Sequence, residues 1–510
     1  MKRLRQLGPL KLLKLLRRLK RFLVDSSNYG KLIILIGLLV GFPLVVLPFF
    51  PTEARHALAF IAPMAFSLLL GAIICRATYR RKERNTEWQS PLQRGSLAIL
   101  FVWCYSSLMG AMPFVISGQL SFARALFESV SGWTTTGLTV VDVAAMPKVF
   151  LFHRSFMQYS GGLGFVLMMA MVVQGKHSMA LYNAEGHVDR LMPSLRQTSR
   201  AITAIYGGFL ALGTIAYRVF GMRLFDAVCH TMSALSTAGF TTQAGSIGAY
   251  DSLPIELATV VLMLVGASNF AILFLLTEGK VREIFRVTEM RFMAGLMAVF
   301  VPLSACSLAA GLGMGVLKSL RHALFGVVTV FSTTGYSIMD YSSWTPFGSG
   351  LLILLMVIGG CAGSTAGGIK LSRTYLLIRI TRENIRKRLS PAIKTAAPTY
   401  NTANGRTPID SALVSDTFGF IACYVGIFIL GTLLVTVTAD CSLQDAMFEF
   451  ASAFGTVGIS NGLTNPTTNT ATLAVEMVGM VLGRLEVFVV FIGMYSGAHM
   501  LRLWLRRSQP

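Results

Sequence analysis

The sequence predicts an all-α integral membrane protein, with about ten membrane helices and four repeated units around one central pore. Three observations lead to this fold class. The 510-residue chain has a mean hydropathy of +0.62 and only 13% charged residues, against about 25% in soluble proteins. Most of its apolar runs reach the roughly 20 residues that a helix needs to cross a bilayer. A threonine-glycine turn stands between two such runs four times.

The apolar runs give the number of helices. They lie at 31–50, 57–75, 96–117, 149–173, 201–220, 255–277, 292–310, 350–358, 414–437 and 473–499. The run at 350–358 is too short to span a bilayer alone. The runs and turns predict six segments: a basic N-terminus at 1–29, an extra helix pair at 30–92, and repeats at 93–200, 201–290, 291–400 and 401–510.

The basic residues behind the net charge of +22 are concentrated in particular segments of the chain. Ten Lys or Arg lie within 1–31 and nine within 370–406, whereas the loops 118–148 and 438–472 carry few. Positive residues favour the cytoplasmic side, so both termini are expected inside. The basic excess then contacts anionic membrane lipid and indicates no nucleic acid. In the N-terminus leucines alternate with Lys and Arg at helical spacing, which predicts an amphipathic helix on the inner membrane face and no cleaved signal.

Enzyme and cofactor classes find no support in the sequence. No HExxH or GxSxG motif occurs, and the seven histidines are dispersed. The seven cysteines are scattered, odd in number and without a CxxC pair, so neither a metal site nor a disulfide is indicated. We therefore expect no enzymatic activity and no cofactor bound by this chain.

The four turns share a register around the glycines Gly137, Gly239, Gly335 and Gly458. In each repeat a threonine lies two residues before the glycine, a bulky apolar residue follows it, and a hydroxyl residue lies six before it. Further glycines follow 24 to 27 residues later, at Gly161 and Gly162, Gly266, Gly359 and Gly360, and Gly483. Four matches in register indicate duplication.

The segment before each glycine, such as "LFESVSGW", is too short to span and too apolar for a free loop. We predict half-membrane helices entering from outside, with Asp226 and Asp445 near their positive ends. Non-helical backbone at that depth must line a water-filled cavity or be buried in protein.

Four such turns around an axis would form rings of carbonyl and hydroxyl oxygens that replace the hydration shell of a monovalent cation. Glycine is expected because the turn needs a positive or otherwise restricted φ. The predicted selectivity filter for such a cation consists of Thr135, Thr136, Gly137, Leu138, Thr237, Ala238, Gly239, Phe240, Thr333, Thr334, Gly335, Tyr336, Thr456, Val457, Gly458 and Ile459.

A glycine-rich stretch, "GGCAGSTAGGIK", follows the short run at 350–358 in a place where the other repeats are expected to have an unbroken second helix. One alternative is a flexible loop outside the membrane; a phosphate-binding loop does not fit, because the Lys comes one position late and no Ser or Thr follows it. We predict that this break, with Gly359, Gly360, Gly363, Gly367 and Gly368, lies at membrane depth and lines the pore.

Intramembrane charges tend to face a cavity or each other. Arg484 and Glu486 are expected in one spanning helix, with Arg484 in the pore as the favoured interpretation and a buried structural pair as the alternative. His153, Arg154 and Glu476 are expected near helix ends, with their polar tips reaching the membrane surface.

The turns "TTGL", "TAGF", "TTGY" and "TVGI", each between two membrane helices, resemble those of the Trk/Ktr/HKT superfamily of potassium transporters. The stretches 181–202, 266–274, 359–373 and 480–488 resemble the bacterial Trk-type membrane subunit in particular. The helices at about 31–77 also fit the Trk type. All four turns have glycine, so the serine of the sodium-permeable plant branch is absent.

This resemblance implies potassium uptake across the bacterial inner membrane, with the glycine loop as a gate below the filter and Arg484 near the permeation path. It also implies a homodimer and a peripheral cytosolic regulatory subunit that binds NAD or ATP, for which the basic loop 370–406 is a plausible docking surface. A sodium-coupled Ktr-type carrier and a poorly selective monovalent cation channel are the alternatives. The residues leave open whether protons or sodium are coupled to potassium.

Overall fold

The computed structural model describes residues 28–79, 91–163, 195–389, 398–403 and 405–507. The predicted amphipathic N-terminus lies almost wholly outside these residues, as does most of the stretch 181–202. Within the described ranges the chain is helical throughout, apart from one short β-hairpin and the connecting segments.

An N-terminal helix pair precedes the repeats. Helix α1 (Asn28–Gly41) continues as a 3-10 helix through Phe49, and α2 (Ala57–Thr78) packs against it. The two backbones approach closely at facing glycines, because a Cβ on Gly71 would lie only 2.7 Å from the carbonyl oxygen of Gly30. Small residues at membrane helix interfaces permit this kind of packing. The predicted extra pair is present.

Each repeat begins with a long helix and continues with a short one. The long helices are α3 (Pro91–Ile116), α6 (Leu195–Val219), α11 (Thr288–Leu312) and α15 (Ser411–Ala439). The short helices, each of which ends directly at a threonine-glycine turn, are α4 (Phe122–Trp133), α7 (Leu224–Leu235), α12 (Val316–Phe331) and α16 (Leu443–Phe454). Asp226 and Asp445 lie in the first turns of α7 and α16, as predicted from the helix dipole.

After each turn a second helix leads away from it. These helices are α5 (Lys148–Gly162), α8 (Leu253–Gly266), α13 (Pro346–Ile358) and α17 (Thr470–Arg484). They are followed in the described chain by α9 (Phe270–Thr277) and α10 (Val281–Ile284) in repeat 2, α14 (Leu371–Leu389) in repeat 3 and α18 (Val487–Arg507) in repeat 4.

The expectation of an unbroken second helix is wrong in repeats 2 and 4, whereas in repeat 1 the end of the run 149–173 lies outside the described residues. Helices α8 and α9 meet at 112°, and α17 and α18 meet at 104°. In repeat 2, the side chain of Asn269 accepts a hydrogen bond from the N–H of Ala271 and starts a new helix. In repeat 4, Glu486 has a φ of 60°, which ends the helical path. Both breaks fall inside continuous apolar runs, so hydropathy could not reveal them.

Six helices of the described residues are long and apolar enough to cross a membrane, or up to eight if each bent pair is one span. The remaining two predicted spans are the run 149–173, whose end lies outside the described residues, and the short α13 with its glycine loop. The hairpin of β1 (Thr399–Thr402) and β2 (Gly405–Pro408) was not predicted. It rests on α11, where the N–H of Asn401 donates to Oγ1 of Thr288 over 2.9 Å.

Candidate ion path: four turns, a glycine loop and an arginine

The four turns have the same main-chain hydrogen bonds. In each, the residue before the glycine donates its N–H to the carbonyl of the hydroxyl residue near the end of the short helix, over 2.8 to 2.9 Å. The donor and acceptor pairs are Thr136 and Ser131, Ala238 and Ser233, Thr334 and Thr329, and Val457 and Ser452. In repeats 1 and 4 the hydroxyls of Ser131 and Ser452 also accept from the glycine N–H at 3.0 Å. The serine six residues before the glycine thus holds the turn.

The threonines of the turns have an unusual backbone conformation that sequence reasoning missed. Their φ angles are 57° at Thr135, 50° at Thr237, 55° at Thr333 and 52° at Thr456. β-branched residues avoid this left-handed region, and such strain costs about 1–3 kcal/mol per residue and persists at functional sites. No sequence pattern other than the recurrence of threonine itself pointed to this feature.

The glycines follow with φ angles of 104° at Gly137, 80° at Gly335 and 88° at Gly458, whereas Gly239 does not have a positive φ. The predicted conformational need for glycine therefore applies to three turns. In the second turn the requirement is for space, because a Cβ on Gly239 would lie 2.7 Å from the carbonyl oxygen of Thr334.

The atoms that a Cβ would meet at each of the four turn glycines show that the turns form a closed ring. A Cβ on Gly137 would lie 2.6 Å from the N of Gly239. One on Gly335 would overlap the carbonyl oxygen of Val457, and one on Gly458 would overlap that of Thr136. Each turn therefore faces the main chain of the next, in the order 1, 2, 3, 4 and back to 1. The structure brings the four predicted turns together in this ring, through their glycines and the main chain beside them.

The bulky residue after each glycine packs away from the ring into the protein. Leu138, Phe240, Tyr336 and Ile459 are at most 3% exposed. The hydroxyl of Tyr336 donates to the carbonyl of His230 over 3.0 Å, which ties the third turn to the short helix of repeat 2. These anchors fix the spacing of the ring from behind.

A buried ion pair holds the first turn. Arg154 on α5 donates from Nε to Oε1 of Glu128 on α4 over 2.6 Å, and both side chains are at most 1% exposed. Glu128 also accepts from the Thr139 hydroxyl and the N–H of Val140, the second and third residues after the turn glycine. The guanidinium lies 4.0 Å from the ring centre of Phe240. This pair links the exit of turn 1 to turn 2.

The expectation that His153, Arg154 and Glu476 reach the surface near helix ends is therefore wrong. All three side chains are at most 1% exposed. Their polar contacts are with buried groups of the protein: His153 with the carbonyl of Gly110, Arg154 with Glu128, and Glu476 with the Thr464 hydroxyl. Glu449 in repeat 4 corresponds to Glu128, since each lies nine residues before its turn glycine. The recurring Phe-Glu of "LFESVSGW" and "MFEFASAF" was the sequence signal for these two acids.

The glycine loop after α13 lies against the ring. Thr365 accepts at Oγ1 from the Thr237 hydroxyl over 2.9 Å, and the N–H of Gly367 donates to Oγ1 of Thr333 over 3.0 Å. A Cβ on Gly367 would overlap Oγ1 of Thr456. The loop thus touches the strained threonines of three repeats. This burial does not fit a flexible loop outside the membrane.

Arg484 reaches the same loop from the end of α17. Its Nη1 donates to the carbonyl of Thr365 and its Nη2 to that of Gly161, each over 2.8 Å. The guanidinium therefore bridges the loop of repeat 3 and the second helix of repeat 1. Because the main chain turns sharply after Arg484, the expectation that it shares one continuous helix with Glu486 is wrong. Glu486 instead pairs with Arg373 on α14, at 2.9 Å from Nη2.

The chain matches the model of the TrkH family, described as cation transport protein, over residues 62–300 and 312–496. The chain belongs to this family. Members of the TrkH family are transporters, so the expectation of a transporter without enzymatic activity is confirmed, as is the resemblance to the Trk type.

Relatives of this TrkH-family chain extend along most of its length. It is 31% identical to the Trk system potassium uptake protein TrkH of Halomonas elongata, over 85% of this chain and 90% of that one. It is 30% identical to the Trk system potassium uptake protein TrkG of Escherichia coli, over 93% of this chain and 98% of that one. The crystal structure of the potassium transporter TrkH from Vibrio parahaemolyticus superimposes with a TM-score of 0.78 at 27% identity, covering 91% of this chain and 98% of that one. The predicted four-repeat fold fits this match.

Proposed function

We propose that this chain takes up potassium across the bacterial inner membrane through a pore lined by the ring of four turns. The observation that carries the proposal is the closed ring itself, in which every glycine faces the main chain of the next repeat. Rings of main-chain carbonyls and threonine hydroxyls are the ligands that replace the hydration shell of potassium. The relatives named as potassium uptake proteins support the same ion.

The ion ligands in this proposal come from the residues Thr135 to Leu138 and their counterparts in the other three repeats. The left-handed threonines turn the following peptides out of the helical direction, so that successive carbonyls can face the axis. Strain of this kind is maintained only where the surroundings fix it, and the buried residues behind the ring supply that fixation. Potassium is the substrate here, and no resident cofactor is part of the proposal.

The glycine loop acts as the gate in this scheme. It is held under the ring by the hydroxyls of Thr237 and Thr333 and by the guanidinium of Arg484. A positive charge at this place adds an electrostatic barrier to cations, and the loop itself obstructs the path. Opening requires Gly359 to Gly368 to move away from the ring and the contacts of Arg484 to break.

Regulation is proposed to come from outside this chain. Helix α14 leaves the gate loop and ends with Arg386, Lys387 and Arg388 in its last turn. This basic surface, within 370–406, suits a peripheral cytosolic subunit that binds NAD or ATP. A homodimer of the membrane protein, cytoplasmic termini and contact with membrane lipid complete the proposal.

Ion flux into proteoliposomes of the purified protein tests the function. With imposed gradients, we expect potassium uptake that a large excess of sodium leaves nearly unchanged. Equal uptake of both ions would identify a poorly selective cation channel, and potassium uptake that requires sodium would identify a sodium-coupled carrier. Vesicles that take up neither ion with the folded, inserted wild type or with Arg484→Ala, which removes the bonds holding the gate loop, would refute the proposal.

A further inference from the structure

Two carboxylic acids lie side by side behind the fourth turn. Glu449 on α16 and Glu476 on α17 both have 0% exposed surface. Both contact the hydroxyl of Thr464, in the segment between the fourth turn and α17, and the distance from Oγ1 to Oε1 of Glu476 is 3.0 Å. The transport mechanism above uses neither acid.

Repeat 1 provides an internal comparison. Glu476 lies seven residues before Gly483, and Arg154 lies seven before Gly161. A Cβ on either glycine would overlap the last carbonyl of the preceding short helix, so the two positions are equivalent. Glu476 therefore occupies the place that Arg154 has in repeat 1. The ion pair of repeat 1 becomes a pair of acids in repeat 4, and two adjacent buried carboxylates would be strongly unfavourable.

The hydrogen bonds show how the two acids differ. Glu449 accepts from the Ser460 hydroxyl at 3.1 Å and from the N–H groups of Asn461 at 3.3 Å and Thr464 at 3.2 Å. These donors suit an ionised carboxylate. Glu476 contacts only the Thr464 hydroxyl among the described residues, and its buried Oε2 has no partner there. In the part of the chain that the structure describes, no cation or second hydrogen-bond donor compensates a negative charge on Glu476.

The Thr464 hydroxyl has one proton and cannot donate to both acids. We infer that Glu476 is a proton-binding site, in which its carboxylic acid donates to Oγ1 of Thr464 while the Thr464 hydroxyl donates to the Glu449 carboxylate. Each of the two hydrogen bonds, from Glu476 to Thr464 and from Thr464 to Glu449, then has one donor and one acceptor. No pattern in the sequence assigned a role to this group.

Charged groups on the neighbouring elements do not balance the pair. Helix α16 itself carries Asp445, which is exposed and accepts from Asn461 at 2.8 Å. The other charged residues on the helices packed against α16 and α17 are Asp416, Arg124, Glu128, Arg484 and the basic end of α18 from His499 onwards. Within the described ranges, no ion pair joins any of these cations to Glu449 or Glu476.

Loss of the proton would act on the fourth turn. Glu449 holds Ser460 and Asn461, which directly follow the turn residue Ile459. A second negative charge on Glu476 would repel Glu449 and release the Thr464 bridge, so the main chain leaving the turn would loosen. Transport should then decline severalfold as the pH rises, and this consequence rests on the proposed function. The assignment of the proton-binding site itself does not depend on the proposed function.

Infrared difference spectroscopy of the purified full-length protein, wild type minus variant, tests the site directly. We expect a protonated-carboxyl band at neutral pH that is lost in Glu476→Gln and retained in Glu256→Gln. Glu256 is a matched control, since it is also buried but paired with Arg321 at 2.6 Å. If Glu476→Gln does not fold, Glu476→Arg, which recreates the pair of repeat 1, should likewise lack the band. A band of unchanged intensity in either folded variant would overturn the inference.

Flux measured in proteoliposomes from mildly acid to alkaline pH tests the consequence. Glu476→Gln should have a flatter pH profile than the wild type, because its amide cannot ionise but can still donate to Thr464. Parallel profiles for the two proteins would refute the link between this proton and the fourth turn. If neither the wild type nor Arg484→Ala transports, the proposed function fails, and the infrared result still decides whether Glu476 holds a proton.

Discussion

Replacing the turn glycines one at a time by serine should lower the preference for potassium in a definite order. A Cβ on Gly335 or Gly458 would overlap a carbonyl oxygen of the next turn, and both glycines have a positive φ. For an L-residue that conformation costs about 1–2 kcal/mol, and forcing atoms into a packed site costs about 1–3 kcal/mol. The total cost is roughly 2–5 kcal/mol. The turn can relieve this cost only by displacing the carbonyls of the ring.

Gly239→Ser meets only the second of these costs, since Gly239 lacks a positive φ. A loss of about 1.4 kcal/mol in relative binding is a tenfold change in preference. We therefore expect at least a tenfold loss of potassium over sodium preference in Gly335→Ser and Gly458→Ser. The loss should be intermediate in Gly137→Ser and smallest in Gly239→Ser.

The assay is potassium uptake into proteoliposomes against increasing sodium, with size-exclusion profiles to confirm folding. Gly350→Ser on α13 is the matched control, because a Cβ there meets no atom within 4 Å. If all four turn variants keep the wild-type preference, or if Gly350→Ser loses as much as they do, the reasoning about the ring is refuted.

Three further predictions concern the gate, the buried ion pair and the topology. Arg484→Ala removes two charged hydrogen bonds of about 1.5–3 kcal/mol each, so potassium flux should rise about tenfold or more at unchanged selectivity; wild-type rates would place the gate elsewhere. Glu128→Gln leaves Arg154 buried without its ion-pair partner and should lower the free energy of unfolding by about 3–5 kcal/mol, as followed by thermal unfolding in detergent, whereas breaking the exposed pair of Lys280 and Glu278 should leave that free energy nearly unchanged. On a cysteine-free background, an impermeant thiol reagent should label Thr467→Cys in intact cells and Lys387→Cys only after permeabilisation; the reverse pattern would invert the topology.

Features that recur were predictable from this sequence. The register of serine, threonine and glycine in four places identified the short helices and the turns, and the glycine-rich stretch identified the loop. Each of these signals depends on local backbone chemistry or on repetition, both of which a single chain displays directly. The glycines after the turns were found in the same way, but their contacts needed coordinates: Gly161, Gly266 and Gly483 lie against the end of a short helix, whereas Gly359 and Gly360 lie against other parts of the structure.

Features that depend on partners distant in the sequence were not predictable. Arg154 and Glu128 are 26 residues apart on different helices, and neither residue alone indicates a buried pair. The breaks after Gly266 and Arg484 interrupt apolar runs without changing their hydropathy. The left-handed threonines were missed because propensity argues against a β-branched residue there, and only the surrounding packing enforces it.

In the proposed gating, the departures from fourfold symmetry would let one repeat control a path that all four repeats build. The loop under the ring belongs to repeat 3 alone, yet its contacts reach Thr237 in repeat 2 and, through Arg484 of repeat 4, Gly161 in repeat 1. A shift of the loop therefore has to break contacts with every other repeat. Because Arg373, just after the loop, pairs with Glu486, just after Arg484, movement of α14 acts on the loop and on the arginine together. The proposed control from the basic end of that helix would therefore need no change in the ring.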